Sequence, residues 1–121
     1  MAAIQKWLAI QSANAMRILR LVHLSRTEPE REAAREFDVD EIEATRDLYA
    51  AQGRALPDDP TVIDVVRALA HIAGSHRGRN ELPGAIVLAR GLERVQIVAN
   101  AARGRQRRKT RRSDARIRQE K

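Results

Sequence analysis

Pro83-Gly84-Ala85-Ile86-Val87-Leu88-Ala89-Arg90-Gly91-Leu92-Glu93-Arg94-Val95-Gln96-Ile97-Val98-Ala99-Asn100 is the stretch that decides the fold. A proline opens it, and a run of good helix formers follows, broken by a single glycine. An interior glycine costs about 1 kcal/mol against alanine, so its position must repay that cost through packing. Gly84, Leu88, Gly91, Val95, Val98 and Ala102 recur at spacings of four and three and share one stripe. So little bulk on that stripe predicts a helix from about 82 to 102 that another helix approaches closely at Gly91. Leu88, Gly91, Leu92 and Val95 form the expected contact. Ile86 and Ile97 fall on the other face with Arg90, Glu93, Arg94 and Asn100, which reads as a partner surface. On this reading Gly91→Leu overpacks the contact, whereas Gly91→Ala is mild because alanine favours helix.

Working outward, Thr61-Val-Ile-Asp64 is a capping sequence for a helix that carries Val62, Val65, Val66, Leu69, Ile72 and Ala73 inward and stops at Gly74. A polar turn over 74–81 joins it to the helix above. Before it, 54–60 is a loop with two prolines. Asp38-Val-Asp-Glu41 caps a helix with Ile42, Leu48 and Tyr49, ending near Gly53. Thr27-Glu-Pro-Glu30 has the same form and predicts a short charged helix to about Phe37. Residues 2–25 read as the first helix. Ile4, Trp7, Leu8, Ala15, Met16, Ile18, Leu19 and Val22 make its broad apolar face, and Lys6, Arg17, Arg20, Ile10, Leu21 and Leu24 lie opposite. A helix apolar on both sides is either central in its fold or shared with a partner, and Ile10, Leu21 and Leu24 favour the partner.

The chain has 121 residues, no cysteine and only three aromatic residues (Trp7, Phe37 and Tyr49). One domain with a lean Ala/Leu/Ile/Val core follows. There are no disulfides or thiolate metal sites, and the cytoplasm is the expected compartment, at the nucleoid if DNA is bound. The N-terminus lacks a signal-peptide layout and no apolar run is long enough to span a bilayer. The net charge of +7 is uneven: residues 1–102 carry a net of −1 and residues 103–121 a net of +8. Apart from glycine, the tail has two apolar residues, Ala115 and Ile117. It is expected to be disordered, giving a helical domain over 1–102 and a basic tail over 103–121. Arg105, Arg107, Arg108, Lys109, Arg111 and Arg112 are its candidate nucleic-acid contacts. Without interleaved aromatics, base stacking is not expected.

The order Thr61-Val62, His71-Ile72-Ala73-Gly74, His76-Arg77-Gly78-Arg79, Pro83-Gly84 and Leu88-Ala89-Arg90-Gly91-Leu92 resembles the helical C-terminal dimerisation region of the Tn-five-type bacterial DDE transposases. Upstream, Ala15-Met16-Arg17-Ile18-Leu19-Arg20-Leu21 is similar to that family's Ala-x-Arg-Leu-Leu-x-Leu helix. Asp38 through Leu48 is similar to its capped Asp-Glu helix. The resemblance spans residues 4–102 and implies association with a second copy or with an intact transposase. Ala89 and Leu92 stand where the family usually places tryptophan, and Ser75 where it often has a second glycine; weak association of the chain alone is the corresponding expectation. The resemblance also implies that the family's metal-binding carboxylates lie upstream of the matched region, so the chain reads as a C-terminal remnant or fragment with no catalysis, metal or cofactor of its own.

Other candidate chemistry is thin. Asp38, Asp40, Asp58 and Asp59 read as caps and loop solvation rather than metal ligands. His23, His71 and His76 have no zinc-like spacing. The His76–Arg79 turn is a minor candidate for phosphate contact. The sequence therefore predicts an all-α bundle of four to five helices acting in transposase dimerisation, supporting transposition or inhibiting an intact transposase by heterodimer formation. The alternative is a small basic protein that binds nucleic acid through its Arg-rich tail.

Overall fold

The structure, a computed structural model, describes residues 2–74 and 83–119. Among the described residues there are four α-helices, α1 (Ala2–Thr27), α2 (Val39–Ala51), α3 (Val62–Ile72) and α4 (Ala85–Gln119). A 3-10 turn over Ala33–Arg35 lies between α1 and α2. The polar turn expected over 74–81, with its His76–Arg79 segment, falls beyond Gly74 outside the described residues.

Local chemistry sets each boundary. Asp38 accepts from the Glu41 N–H at 2.8 Å, and Glu41 Oε1 accepts from the Asp38 N–H at 3.1 Å, a reciprocal cap at the start of α2. Thr61 and Asp64 make the same exchange before α3. Both helices then stop at glycines with positive φ, Gly53 at 78° and Gly74 at 86°, a conformation other residues reach only with strain. The β-branched run Val62-Ile-Asp-Val-Val66 is helix because the cap and its surroundings outweigh propensity.

The Thr27 box does not form. Helix α1 runs through Thr27, whose hydroxyl donates to the His23 carbonyl at 2.9 Å. Glu28 N–H still reaches the Leu24 carbonyl, and Pro29 then has no N–H with which to continue. The expected helix over 28–37 shrinks to the 3-10 turn because this segment is tied across the molecule. Ala33 N–H donates to the Pro60 carbonyl, Val62 N–H to Arg31 and Ile63 N–H to Pro29. These bonds satisfy backbone groups that a helix would have used internally.

Helix α3 sits at the centre. Val62, Ile63, Val65, Val66, Ala68, Leu69, Ala70 and Ile72 are all buried. Helix α4 packs chiefly on α2 and α3, and α1 crosses α3 and α4. The α3–α4 contact is the closest. A Cβ placed on Gly91 would lie 2.2 Å from the Leu69 carbonyl oxygen and 2.7 Å from its carbon. The glycine is therefore repaid by backbone-to-backbone approach, but the approaching helix belongs to the same chain. The expectation that Gly91→Ala is mild is corrected by the same geometry, since a rigid backbone carbonyl cannot move aside as a side-chain tip can.

The apolar face expected of α1 divides along the helix: Ile18 and Val22 pack on the core, and residues 3–13 are exposed on every side. Ile18, Leu21 and Leu24 are in the core, whereas Ile4, Trp7, Leu8, Met16 and Leu19 are exposed. The first half of α1 overhangs the bundle, and in the packed half two arginines are met by carboxylates. Arg17 makes a bidentate pair with Glu41, both contacts at 2.7 Å, donates to the Glu36 carbonyl at 3.1 Å and lies over the Phe37 ring. Arg20 pairs with Glu36 through two contacts of 2.9 Å. An arginine met by a carboxylate no longer marks the solvent face. Leu21 and Leu24 are thus unavailable to a partner; Ile10 remains exposed.

The basic segment also differs from expectation. Helix α4 does not end near Ala102 but continues to Gln119. Arg, Lys and Gln are good helix formers, and no proline follows Pro83. The costly nucleus is already formed by the packed residues before it, so each further residue needs only propagation.

Candidate functional site

Two exposed features remain once the core is assembled. The first is an apolar stripe on α1. Ile4, Trp7, Leu8, Ala15 and Leu19 lie within about a third of the helix circumference. Trp7 is 59% exposed, Leu8 52% and Leu19 60%. The stripe runs into an open groove of about 400 Å³ between α1 and the first turns of α4, lined by Ala15, Ile18, Leu19, Ala85, Ile86 and Ala89 together with Gln11 and Asn14. It begins at Ile4, the third residue of α1, and stops where Val22 turns into the core margin.

The expected partner-contact residues divide between core and surface. Leu88, Leu92 and Val95 are buried, and Gly91 is sealed against Leu69, so all four hold the chain's own bundle together. Ile86 and Ile97 stay at the surface, 72% and 64% exposed. Only Ile86 borders the groove. The stripe on α1 was missed as a surface because hydrophobicity alone assigned it to the core. No adjacent residues mark where α1 leaves the bundle, so its overhang has no local signal in the sequence.

The second feature is the basic half of α4. Arg105, Arg107, Arg108, Lys109, Arg111 and Arg112 are all exposed and sit on one continuous helix. Arg103, at its root, is clasped by α2. Its Nε donates to Asp40 Oδ2 at 3.0 Å, its Nη2 hydrogen-bonds Asp38, and its Nη1 donates to Asn100. Asp38 thus caps α2 with one oxygen and anchors α4 with the other. Asp38 and Asp40, considered above for metal chemistry, are engaged by this arginine.

Electrostatics around α1 are structural. Glu36 receives Arg20 and Arg31. The hydrogen bond from Arg20 is the main cause that holds its carboxyl below the usual glutamate range, against an opposing effect of burial. His71 packs edge-on to Tyr49 and hydrogen-bonds Gln52 through Nδ1. No group of three or more His, Asp or Glu side chains is arranged to hold a metal among the described residues. Among them, no helix is long and apolar enough to cross a membrane. Comparison of the chain with protein families, with curated proteins and with solved structures returns no match.

Proposed function

We propose that this chain is a non-catalytic association module of the transposase-dimerisation kind, and that the α1 stripe is its contact surface. The observation that carries the reading is the line of Ile4, Trp7, Leu8 and Leu19, more than half exposed and continuous with the groove beside Ile86. Leaving such side chains in water forgoes about 1.5–3 kcal/mol for each one that a partner would fully bury. A second copy, with its α1 laid antiparallel, presents the same stripe to itself, which is the self-complementary arrangement a two-fold dimer requires. Trp7 is the natural anchor, since buried tryptophans dominate many interfaces.

An intact transposase that shares this region is the other partner of the same chemistry. A mixed pair of that kind would hold only one catalytic domain and so inhibit transposition. The module acts in the cytoplasm, at the nucleoid when its partner is on DNA. With magnesium or manganese, the purified chain should leave duplex DNA uncut.

Sedimentation across a concentration series tests the association. The expected result is a reversible dimer that Trp7→Glu with Leu19→Glu converts to monomer at unchanged helical content. A monomer at every concentration, together with failure to capture an intact transposase, overturns the reading.

A further inference from the structure

The helical form of residues 103–119 sorts their charges in a way a disordered tail would not. Arg105, Arg108, Lys109, Arg112 and Arg116 fall at i, i+3, i+4, i+7 and i+11 and form one exposed stripe along α4. The acids among the described residues lie elsewhere. Asp38 and Asp40 engage Arg103, about half a turn round the helix from the stripe's centre. Asp114 is three residues after Arg111 and four before Arg118, so it belongs to the Arg107–Arg111–Arg118 face. Among the described residues, one face is thus partly neutralised by carboxylates and the other has none of its own.

We propose that the Arg105–Arg108–Lys109–Arg112–Arg116 face binds the phosphate backbone of duplex DNA, without regard to sequence. The stripe is about 16 Å long at 1.5 Å per residue. A duplex of that length carries about ten phosphate charges on its two strands, one for each 1.7 Å of axis. Five cations on one side match the share of those phosphates that one side presents. Like charges at i, i+4, such as Arg108 with Arg112 and Arg112 with Arg116, weaken an isolated helix. Phosphate relieves that repulsion, so DNA binding strengthens the far half of α4. An anionic membrane is the poorer fit. The one large apolar side chain in the segment, Ile117, lies on a different face, so the stripe has no wedge to insert. With no aromatic residue in 103–119 and five long cations on the contact face, the contact reads charge rather than bases.

The test compares two variants of equal net charge. Arg105→Gln/Arg108→Gln/Arg112→Gln empties the stripe, and Arg107→Gln/Arg111→Gln/Arg118→Gln empties the opposite face. Glutamine preserves helix propensity in both. Each full-length protein is titrated with a mixed-sequence duplex over a salt series. The unaltered chain is expected to show log K falling with log salt at a slope of about −4 to −5. The stripe variant should lose at least tenfold in affinity and about 2.7 from the slope, and the control less than threefold. The circular dichroism helix signal of the unaltered chain should rise on adding duplex. Equal losses in the two variants would reduce the effect to net charge and overturn the proposal. Tighter binding to vesicles of anionic phospholipid than to duplex would overturn it too. Dimer formation is read separately by sedimentation without DNA, so failure here leaves the association reading intact, and the converse holds.

Discussion

Residues 3–13 of α1 and 105–119 of α4 are both exposed helix, yet water receives them differently. The α1 segment presents Ile4, Trp7, Leu8 and Ile10, whose exposure is unfavourable and is relieved only by another apolar surface. The α4 segment presents arginines, which water already solvates and which need only their aliphatic stems supported. Neither segment is long enough to be stable as an isolated helix. Each is ordered as the continuation of a half that is packed in the bundle. The same device, a helix longer than its core contact, therefore yields one arm that seeks a hydrophobic partner and one that attracts a polyanion.

The comparison breaks most completely at the root the two arms share. Gly91→Ala forces α4 away from the Leu69 carbonyl and should cost about 3 kcal/mol. A urea titration should show a lower midpoint with both arms losing helix together. Little change would mean that the α3–α4 contact does not set the packing of the bundle.

Arg17→Ala attacks only the root of α1. It leaves Glu41, 6% exposed at its side chain, without its bidentate partner. About 2 kcal/mol should be lost, and Arg17→Lys should restore little because an ammonium cannot reproduce the fork. Full rescue by lysine would show that charge alone mattered.

The Glu36 contacts give a smaller, pH-dependent effect. Its folded-state pKa lies below the ordinary value of 4.5, mainly through the Arg20 hydrogen bond. The stabilisation is complete above the ordinary value and is lost as pH falls through the folded-state value. The unaltered chain should therefore exceed Glu36→Gln in thermal midpoint at neutral pH, and the gap should close as the pH is taken below about 4.5. A gap that persists in acid would point to packing rather than charge.

The smallest stability effects carry the sharpest contrast. Trp7→Glu and Arg112→Glu both alter exposed positions and should change monomer stability by no more than about 0.5 kcal/mol. Sedimentation should show the first abolishing self-association and the second leaving it unchanged. If both variants weaken the dimer, the two arms are not separate devices.

The capped starts of α2 and α3 and the glycine contact on α4 were legible because each is written in a few adjacent residues. Asp38 with Glu41, Thr61 with Asp64, and Gly91 within its stripe each name a local geometry. The packing of α1 was not, because its ion pairs reach Glu36 and Glu41, sixteen or more residues beyond the arginines they meet, and its first half extends past the bundle. Nor could the stripe show that the helix meeting Gly91 would be α3 rather than a partner's. The helical form of 103–119 was hidden by composition, since a lack of apolar residues argues against a core but says nothing of a helix already nucleated elsewhere.

Helix α4 is held at Gly91 by α3 and at Arg103 by Asp38 and Asp40. The first hold is steric and fixed, and the second is ionic and exposed to salt. Packing holds the rod as far as Ala99, its last fully buried residue; from there Arg103 lies about 6 Å along and Gln119 about 30 Å. A displacement of about 1 Å at the arginine therefore becomes about 5 Å at the tip. Two aspartates at the start of α2 thus act on the short side of a lever, and ionic strength that loosens their grip swings the basic end through a wider arc than it moves anything near the hinge.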